Sequence, residues 1–195
     1  MSIQVICLLF LINAINFEGG ISPQNKVDSI ALLKKAYNEK DYETFFYLFP
    51  NSISKFIEYY GYIENEPMPL YSISFEHIRY LASNKNNKHR LINKLYRIAK
   101  DAKWDADAPS YLRMVLTQLI LTYPEDILYL LKKEDIKTVE NFWYFILYYP
   151  SLGAEYDIEH QNLYKQVYIY MDSRDKKVGE ILKNTYDKII IESRR

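Results

Sequence analysis

The sequence predicts an all-α fold: one multi-helical domain of stacked helical hairpins, arranged as an irregular solenoid or an orthogonal bundle. Three observations support this prediction. Only five Gly and seven Pro occur in 195 residues, so few positions suit the tight turns of a β-meander. Apolar residues recur at helical spacing along most of the chain. Prolines and capping residues separate these amphipathic segments, as expected for consecutive helices.

The N-terminus has the pattern of a signal peptide. Residues 1–16 contain no charged residue, and residues 5–12 form a continuous apolar run that includes Cys7, the only cysteine. This run is much shorter than the roughly 20 apolar residues of a membrane-spanning helix, so no membrane span is predicted. We expect residues 1–16 to be a cleaved signal peptide and the mature protein to be periplasmic or secreted. Because no basic residue precedes the run, a buried first helix in a cytoplasmic protein is the alternative.

The first half of the chain divides at residues that start or stop helices. Residues 17–27 are predicted to be a linker, followed by a single α-helical domain over residues 28–195. Asp41 and Ser52 each precede an apolar segment, as N-caps do, and Pro50 lies between the two segments. Gly61 suits a left-handed C-terminal position, and residues 64–70 are predicted to form an irregular loop. The helices expected here span 28–38, 41–49, 53–60, 72–84 and 87–100.

The second half has a more regular pattern. A broad apolar stripe follows residue 110 and predicts a central helix, since such a stripe must be buried against several neighbours; it consists of Tyr111, Leu112, Val115, Leu116, Leu119 and Ile120. Further helices are expected after Pro124 and over residues 135–149, 159–171 and 175–192. The predicted core comprises Leu33, Phe46, Phe49, Ile53, Phe56, Leu112, Val115, Leu116, Leu119, Phe142, Trp143, Ile146, Ile181 and Leu182.

One internal similarity suggests a degenerate helical repeat. Residues 46–53 align with residues 120–127 so that Pro50 matches Pro124, and Phe56 and Ile57 then match Leu130 and Leu131. The repeating unit would be a helix end, an aromatic residue, a proline turn and a second helix that packs back on the first. Hairpins of this kind stack into solenoid-like arrays.

Motifs for common chemistry are not found in the sequence. It contains no glycine-rich phosphate loop, no nucleophile elbow and no zinc-binding helix motif, so no catalytic residue, cofactor or metal ligand is assigned. The three histidines are expected on the solvated surface. A basic cluster over residues 85–100 lies opposite an apolar helix face, which is typical of an ordinary charged surface. Lys plus Arg and Asp plus Glu both total 25, so no net field favours nucleic acid.

Two segments are candidate sites. Tyr60, Tyr62, Glu64 and Glu66 combine aromatic rings with charge, a composition typical of protein-binding surfaces. The second candidate is the string around Asp105 and Asp107, which immediately precedes the predicted central helix. There, Asp107 is expected to cap that helix and Trp104 to pack against a neighbour, and an acidic cation site is the alternative.

Two functions remain open at this point. The first is a non-enzymatic, secreted or periplasmic protein that binds another macromolecule, with a protein as the expected partner, for example as an immunity-type protein that occludes a toxin. It follows from the stacked helices, the 20 tyrosines and the missing catalytic motifs. The alternative is an enzyme that acts on a glycan with a carboxylate pair drawn from Glu64, Glu66, Asp105, Asp107 and Glu155. The oligomeric state is not predicted.

Overall fold

The structure is a computed structural model that describes residues 23–84, 87–102, 107–148 and 154–193, without the side chains of 23–27, 107, 154–157 and 159. Within these residues it contains ten α-helices, a two-stranded hairpin and one 3₁₀ turn, which confirms the all-α prediction. The elements are α1 Pro23–Asn38, α2 Tyr42–Leu48, α3 Ile53–Tyr60, β1 Tyr62–Ile63, β2 Glu66–Pro67, the 3₁₀ turn Tyr71–Ile73, α4 Ser74–Ala82, α5 Lys88–Ala99, α6 Asp107–Thr122, α7 Pro124–Leu131, α8 Ile136–Leu147, α9 Ala154–Arg174 and α10 Lys176–Glu192.

Several helix starts are fixed by local capping. Asp41 accepts a hydrogen bond from the backbone N–H of Thr44, and Ser52 accepts one in the same way at the start of α3. Asp135 and Asp175 cap α8 and α10 with the same three-residue spacing. Each cap satisfies an amide that the first helical turn leaves without a partner, which is why these starts are predictable from the sequence.

Helix α6 is the centre of the packing, as its apolar stripe predicts. It packs against α4, α5, α7, α8 and α9, while α10 packs along α8 and α9. The chain turns by 105° between α6 and α7 at Tyr123, immediately before Pro124. No single described helix has the length and apolar composition of a membrane span, although α6 and α7 taken together do.

The predicted core is largely confirmed. Ile53, Val115 and Leu119 are partly buried and pack against the core, and the other predicted members are fully buried. Most described tyrosines also lie inside the protein or at the edge of its core, as their amphipathic side chains favour. The large tyrosine content therefore contributes mainly to packing rather than to an exposed aromatic surface.

Three local predictions were wrong. Helix α1 begins at Pro23, within the predicted linker, because proline is compatible with the first turn of a helix. The predicted irregular loop, residues 64–70, contains strand β2, which pairs antiparallel with the preceding strand β1 through a turn at Glu64 and Asn65. Both of these residues have positive φ, 53° and 66°, which fits the tight hairpin turn that matches strand twist.

Gly61 ends α3 for a different reason from the one predicted. Its φ is −90°, so it is not left-handed. A Cβ at this position would lie 2.8 Å from Ile57 Cγ2 and 2.9 Å from the Ile57 carbonyl oxygen. Glycine is therefore required by the close approach of the chain to the preceding helical turn.

The proposed repeat does not extend to the packing. Pro124 is the first residue of α7, whereas Pro50 precedes the cap of α3. Phe56 is buried but its aligned counterpart Leu130 is only partly buried. The two hairpins therefore present different helix faces to the core and are not equivalent structural units.

Candidate functional site

A cavity lies between α6 and α9, and we call it the α6–α9 groove. Its volume is about 500 Å³. Helix α6 lines one wall with a stripe at helical spacing, and α9 lines the opposite wall, while Ile146 of α8 contributes to the lining. The α6 residues are Ser110, Tyr111, Arg113, Met114, Thr117, Gln118 and Leu121, and the α9 residues are His160, Asn162, Leu163 and Gln166.

The apolar part of the groove is open to solvent. Met114 is 47% exposed and Leu121 is 41% exposed, two turns further along the same face of α6. Because α6 contacts five other helices through its buried stripe, these two side chains lie on a face that the described residues leave uncovered. Exposed apolar side chains that line a concave surface are typical of binding sites.

Arg113 supplies a buried positive charge at the groove. Its side chain is 7% exposed, and its Nη1 donates a hydrogen bond of 2.9 Å to the carbonyl oxygen of Tyr148 after α8. This contact fixes the guanidinium between α6 and the end of α8. A guanidinium has five N–H donors in a fixed plane, so an anchored arginine gives a groove directional hydrogen-bonding capacity.

The remaining polar lining consists of His160 and of hydroxyl and amide side chains. Hydroxyl and amide side chains occupy both walls, and the described lining includes no carboxylate. Amides both donate and accept hydrogen bonds, which suits ligands that carry N–H and C=O groups. Acid–base chemistry on a glycan requires a pair of carboxyl groups, and this groove does not present such a pair from its described residues.

A sequence signal for this groove exists but was missed. Between Ser110 and Thr122, Arg113 is the only charged residue. A helix that presents one face to bulk solvent normally carries several charges on that face. The low charge of α6 beside its buried stripe therefore indicates that this helix does not present an ordinary charged face to bulk solvent.

Tyr60 is excluded from the predicted aromatic surface. It is completely buried, and its hydroxyl lies 2.9 Å from Nδ1 of His77. Burial raises its pKa well above the usual value, so the phenol stays protonated. The prediction was wrong because position 60 is the last residue of α3 and faces the core, a direction that the sequence alone did not reveal.

The other residues of that candidate lie on the hairpin. Tyr62 is partly exposed and stacks edge-on against Tyr71, with ring centroids 4.5 Å apart. Glu64 and Glu66 are exposed at the turn and on β2. The structure therefore places Tyr62, Glu64 and Glu66 on one short hairpin and separates them from Tyr60. Because Tyr62 pairs with Pro67 and Ile63 pairs with Glu66, the side chains of Tyr62 and Glu66 lie on opposite faces of the hairpin.

The acidic candidate lies mostly outside the described residues. Trp104 and Asp105 are not described, and neither is the side chain of Asp107, the first residue of α6. The assignment of Asp107 as a helix cap stays a prediction. Among the described residues, no group of three or more His, Cys, Asp or Glu side chains is placed to hold a metal ion.

Two residues that were expected on the solvated surface, His77 and Lys94, are buried. His77 is fully buried among aromatic rings, and burial, together with the charge of Lys34, lowers its pKa to about 4. Lys94 of the basic cluster is 6% exposed, and its Nζ donates hydrogen bonds to the Phe49 carbonyl and to Oδ1 of Asn51. His89 does lie on the surface, 3.0 Å from a carboxylate oxygen of Asp126.

Comparison with protein-family models, with curated proteins and with solved structures finds no match for this chain.

Proposed function

We propose that this protein is a non-enzymatic binding protein whose α6–α9 groove holds an extended, largely uncharged peptide segment of a partner protein. The observation that carries the proposal is the combination of exposed Met114 and Leu121 with hydroxyl and amide side chains in one cavity of about 500 Å³. Methionine adapts its shape to different apolar side chains, and this property is common at peptide-binding surfaces.

The polar lining favours an extended peptide over a helix. The backbone N–H and C=O groups of a helix are already paired within the helix, whereas an extended segment needs partners for them. Gln118 on α6 and Asn162 and Gln166 on α9 supply donors and acceptors from opposite walls. The stripe from Ser110 to Leu121 is about 16 Å long, the length of roughly five extended residues.

The described candidate carboxylates are poorly placed for glycan hydrolysis. The two candidate carboxylates that the structure describes, Glu64 and Glu66, are exposed on the hairpin rather than held in an apolar cleft. A carboxylate pair that acts on a glycan must flank the scissile bond within a cleft, and an exposed hairpin does not enclose a substrate in this way. The binding function is therefore the better supported of the two.

We further propose that the protein acts outside the cytoplasm, with an immunity-type role as one form of this function. This part of the proposal depends on the apolar run in residues 1–16, which lie outside the described residues. A partner encountered outside the cytoplasm, such as a toxin, would present the peptide segment that the groove binds.

A selection from a display library of random peptides tests the groove directly. We expect enriched peptides to be apolar and low in charge, and to bind the purified protein in a fluorescence anisotropy assay. Leu121→Gln should weaken binding by about tenfold or more, because burial of a leucine side chain contributes about 1.5–3 kcal/mol. Ile169→Gln is the matched control, since Ile169 is a more exposed apolar residue of α9 that does not line the groove.

Two results would refute the proposed function. One is a selection that enriches no peptide. The other is an enriched peptide whose affinity is unchanged by Leu121→Gln in a variant that retains the melting temperature of the original protein.

A further inference from the structure

A second site, independent of the α6–α9 groove, lies on the opposite side of α5 from its apolar face. Arg90, Lys94 and Arg97 repeat at spacings of four and three residues, so their side chains share one face of the helix. With Asn51, His89 and Asn93 they line a cavity of about 280 Å³ whose apolar wall is Phe46. We call these lining residues the α5 basic site.

Lys94 is the buried cation of this site. Its ammonium lies 2.8 Å from the Phe49 carbonyl oxygen and 2.6 Å from Oδ1 of Asn51. Both acceptors are uncharged, and an ammonium has three N–H donors, so these two contacts neither neutralise the charge nor use all donors. A buried charge without an opposite charge is costly, and lysines in such positions are normally paired.

The neighbouring cations increase this imbalance. Burial and, secondarily, the charges of Arg97, Arg90 and Lys55 lower the pKa of Lys94 to about 8, so the ammonium is still mostly protonated at neutral pH. Glu43 pairs with Arg90 at 2.9 Å, but both side chains are largely exposed. In the part of the chain that the structure describes, no carboxylate lies within ion-pair distance of Lys94 or Arg97.

The chemistry of these groups selects an oxyanion. Arginine matches phosphate oxygens with two parallel hydrogen bonds, and lysine adds a point charge. Asn51 accepts from Lys94 through Oδ1, which leaves its amide N–H groups to donate to a ligand. The arginine and lysine side chains span about 10 Å along one helix, and the chain has no net charge, which suits one compact anion better than a nucleic-acid backbone.

We propose that the α5 basic site binds a phosphate dianion, supplied as inorganic phosphate or as the phosphate group of a small phosphomonoester. Arg97 and the third N–H of Lys94 contact the phosphate oxygens, Asn51 donates through its amide, and Phe46 closes one side. The bound dianion supplies the negative charge that Lys94 otherwise lacks.

Titration of the isotopically labelled protein with inorganic phosphate, followed by NMR at pH 7.5 and constant ionic strength, tests this site. We expect saturable shifts of the Asn51, Asn93 and Arg97 side-chain signals that chloride does not produce. A parallel titration with glycerol 3-phosphate distinguishes the sources, because tighter binding of the ester indicates a phosphorylated metabolite and tighter binding of inorganic phosphate indicates the free ion.

Two substitutions and one control complete the test. Arg97→Gln should weaken phosphate binding by about tenfold or more, because a hydrogen bond to a charged group is being removed. Arg174→Gln makes the same change at an exposed arginine of α9 and should leave the affinity unchanged.

Asn51→Asp separates ligand binding from structural stabilisation. A carboxylate at this position lies against Lys94 and replaces the anion, so phosphate binding should be lost while the melting temperature stays the same or rises. No saturable shift in the original protein, or phosphate binding that is retained in both Arg97→Gln and Asn51→Asp, would overturn the proposal.

Discussion

The buried His77 makes acid stability a sensitive test of the core. His77 is 0% exposed, and its ring packs against Tyr37, Phe45 and Tyr60 at centroid distances of 4.5, 5.1 and 5.8 Å. Nδ1 contacts the Tyr60 hydroxyl, whereas Nε2 has no hydrogen-bond partner among the described residues. A protonated ring would bury a charge and an unpaired N–H, so the folded protein retains the neutral form.

The direction of the pH effect follows from the two pKa values. The pKa of His77 is about 4 in the folded protein and 6.5 as the reference value for an exposed histidine. Between these values the unfolded chain binds a proton that the folded chain does not, so the free energy of unfolding falls as the pH is lowered. We expect a loss of about 1–2 kcal/mol at pH 5 and about 2–3 kcal/mol at pH 4, relative to pH 7.5.

The carboxylates whose pKa is lowered titrate below the upper part of this pH range. Hydrogen bonds to the first-turn residues of their helices lower the pKa of Asp41, Asp135 and Asp175 below 3.8. Their stabilising contribution is present above that value and is lost as the pH falls further. Measurements at pH 5 therefore report mainly on His77.

Urea unfolding monitored by circular dichroism at several pH values measures this effect. The double variant Tyr60→Phe/His77→Leu removes both polar groups together, so neither is left unpaired, and it should lose most of the dependence between pH 6.5 and 4.5. The original protein, measured over the same pH range, is the reference for this variant. An unfolding free energy that is constant over this range in the original protein would refute the argument.

Three further predictions concern packing and processing. Gly179→Ala should lower the free energy of unfolding by about 1–2 kcal/mol in urea unfolding, because the new Cβ would lie 2.6 Å from the Cα of Asp172. This overpacking exceeds the gain of about 1 kcal/mol in helix propensity. An equal or higher stability would contradict the close approach of α9 and α10. Leu116→Ala should lower the free energy of unfolding by about 2–5 kcal/mol, since Leu116 is fully buried in the central helix. An unchanged melting temperature would refute the central position of this residue. N-terminal sequencing of protein from its native host should begin after residue 16, whereas a sequence that starts at Met1 would contradict export.

The sequence by itself determined the helical architecture. The caps Asp41, Ser52, Asp135 and Asp175 act on amides three residues away, so the information for these helix starts is local. The periodic stripe of α6 likewise predicted a central helix, because an apolar face that broad must be covered on several sides. Such features depend on neighbours along the chain and are therefore accessible to one-dimensional reasoning.

Only the tertiary structure decided which side chains meet. The contact of Tyr60 with His77 joins residues 17 positions apart, and that of Lys94 with Asn51 joins residues 43 positions apart. Each polar group is buried because a particular helix face is turned toward another helix. Residue type alone favoured the surface for both His77 and Lys94.

The α6–α9 groove shows the same division. The sequence contained the face of α6 on which Arg113 is the only charged residue. The width of the cavity and the opposite wall from α9 depend on how two helices that are far apart in the chain pack together. Helix formation is governed by contacts within a few residues, whereas the position of a groove is set by the packing of complete helices. The physical reason for the division is therefore the range of the interactions that specify each feature.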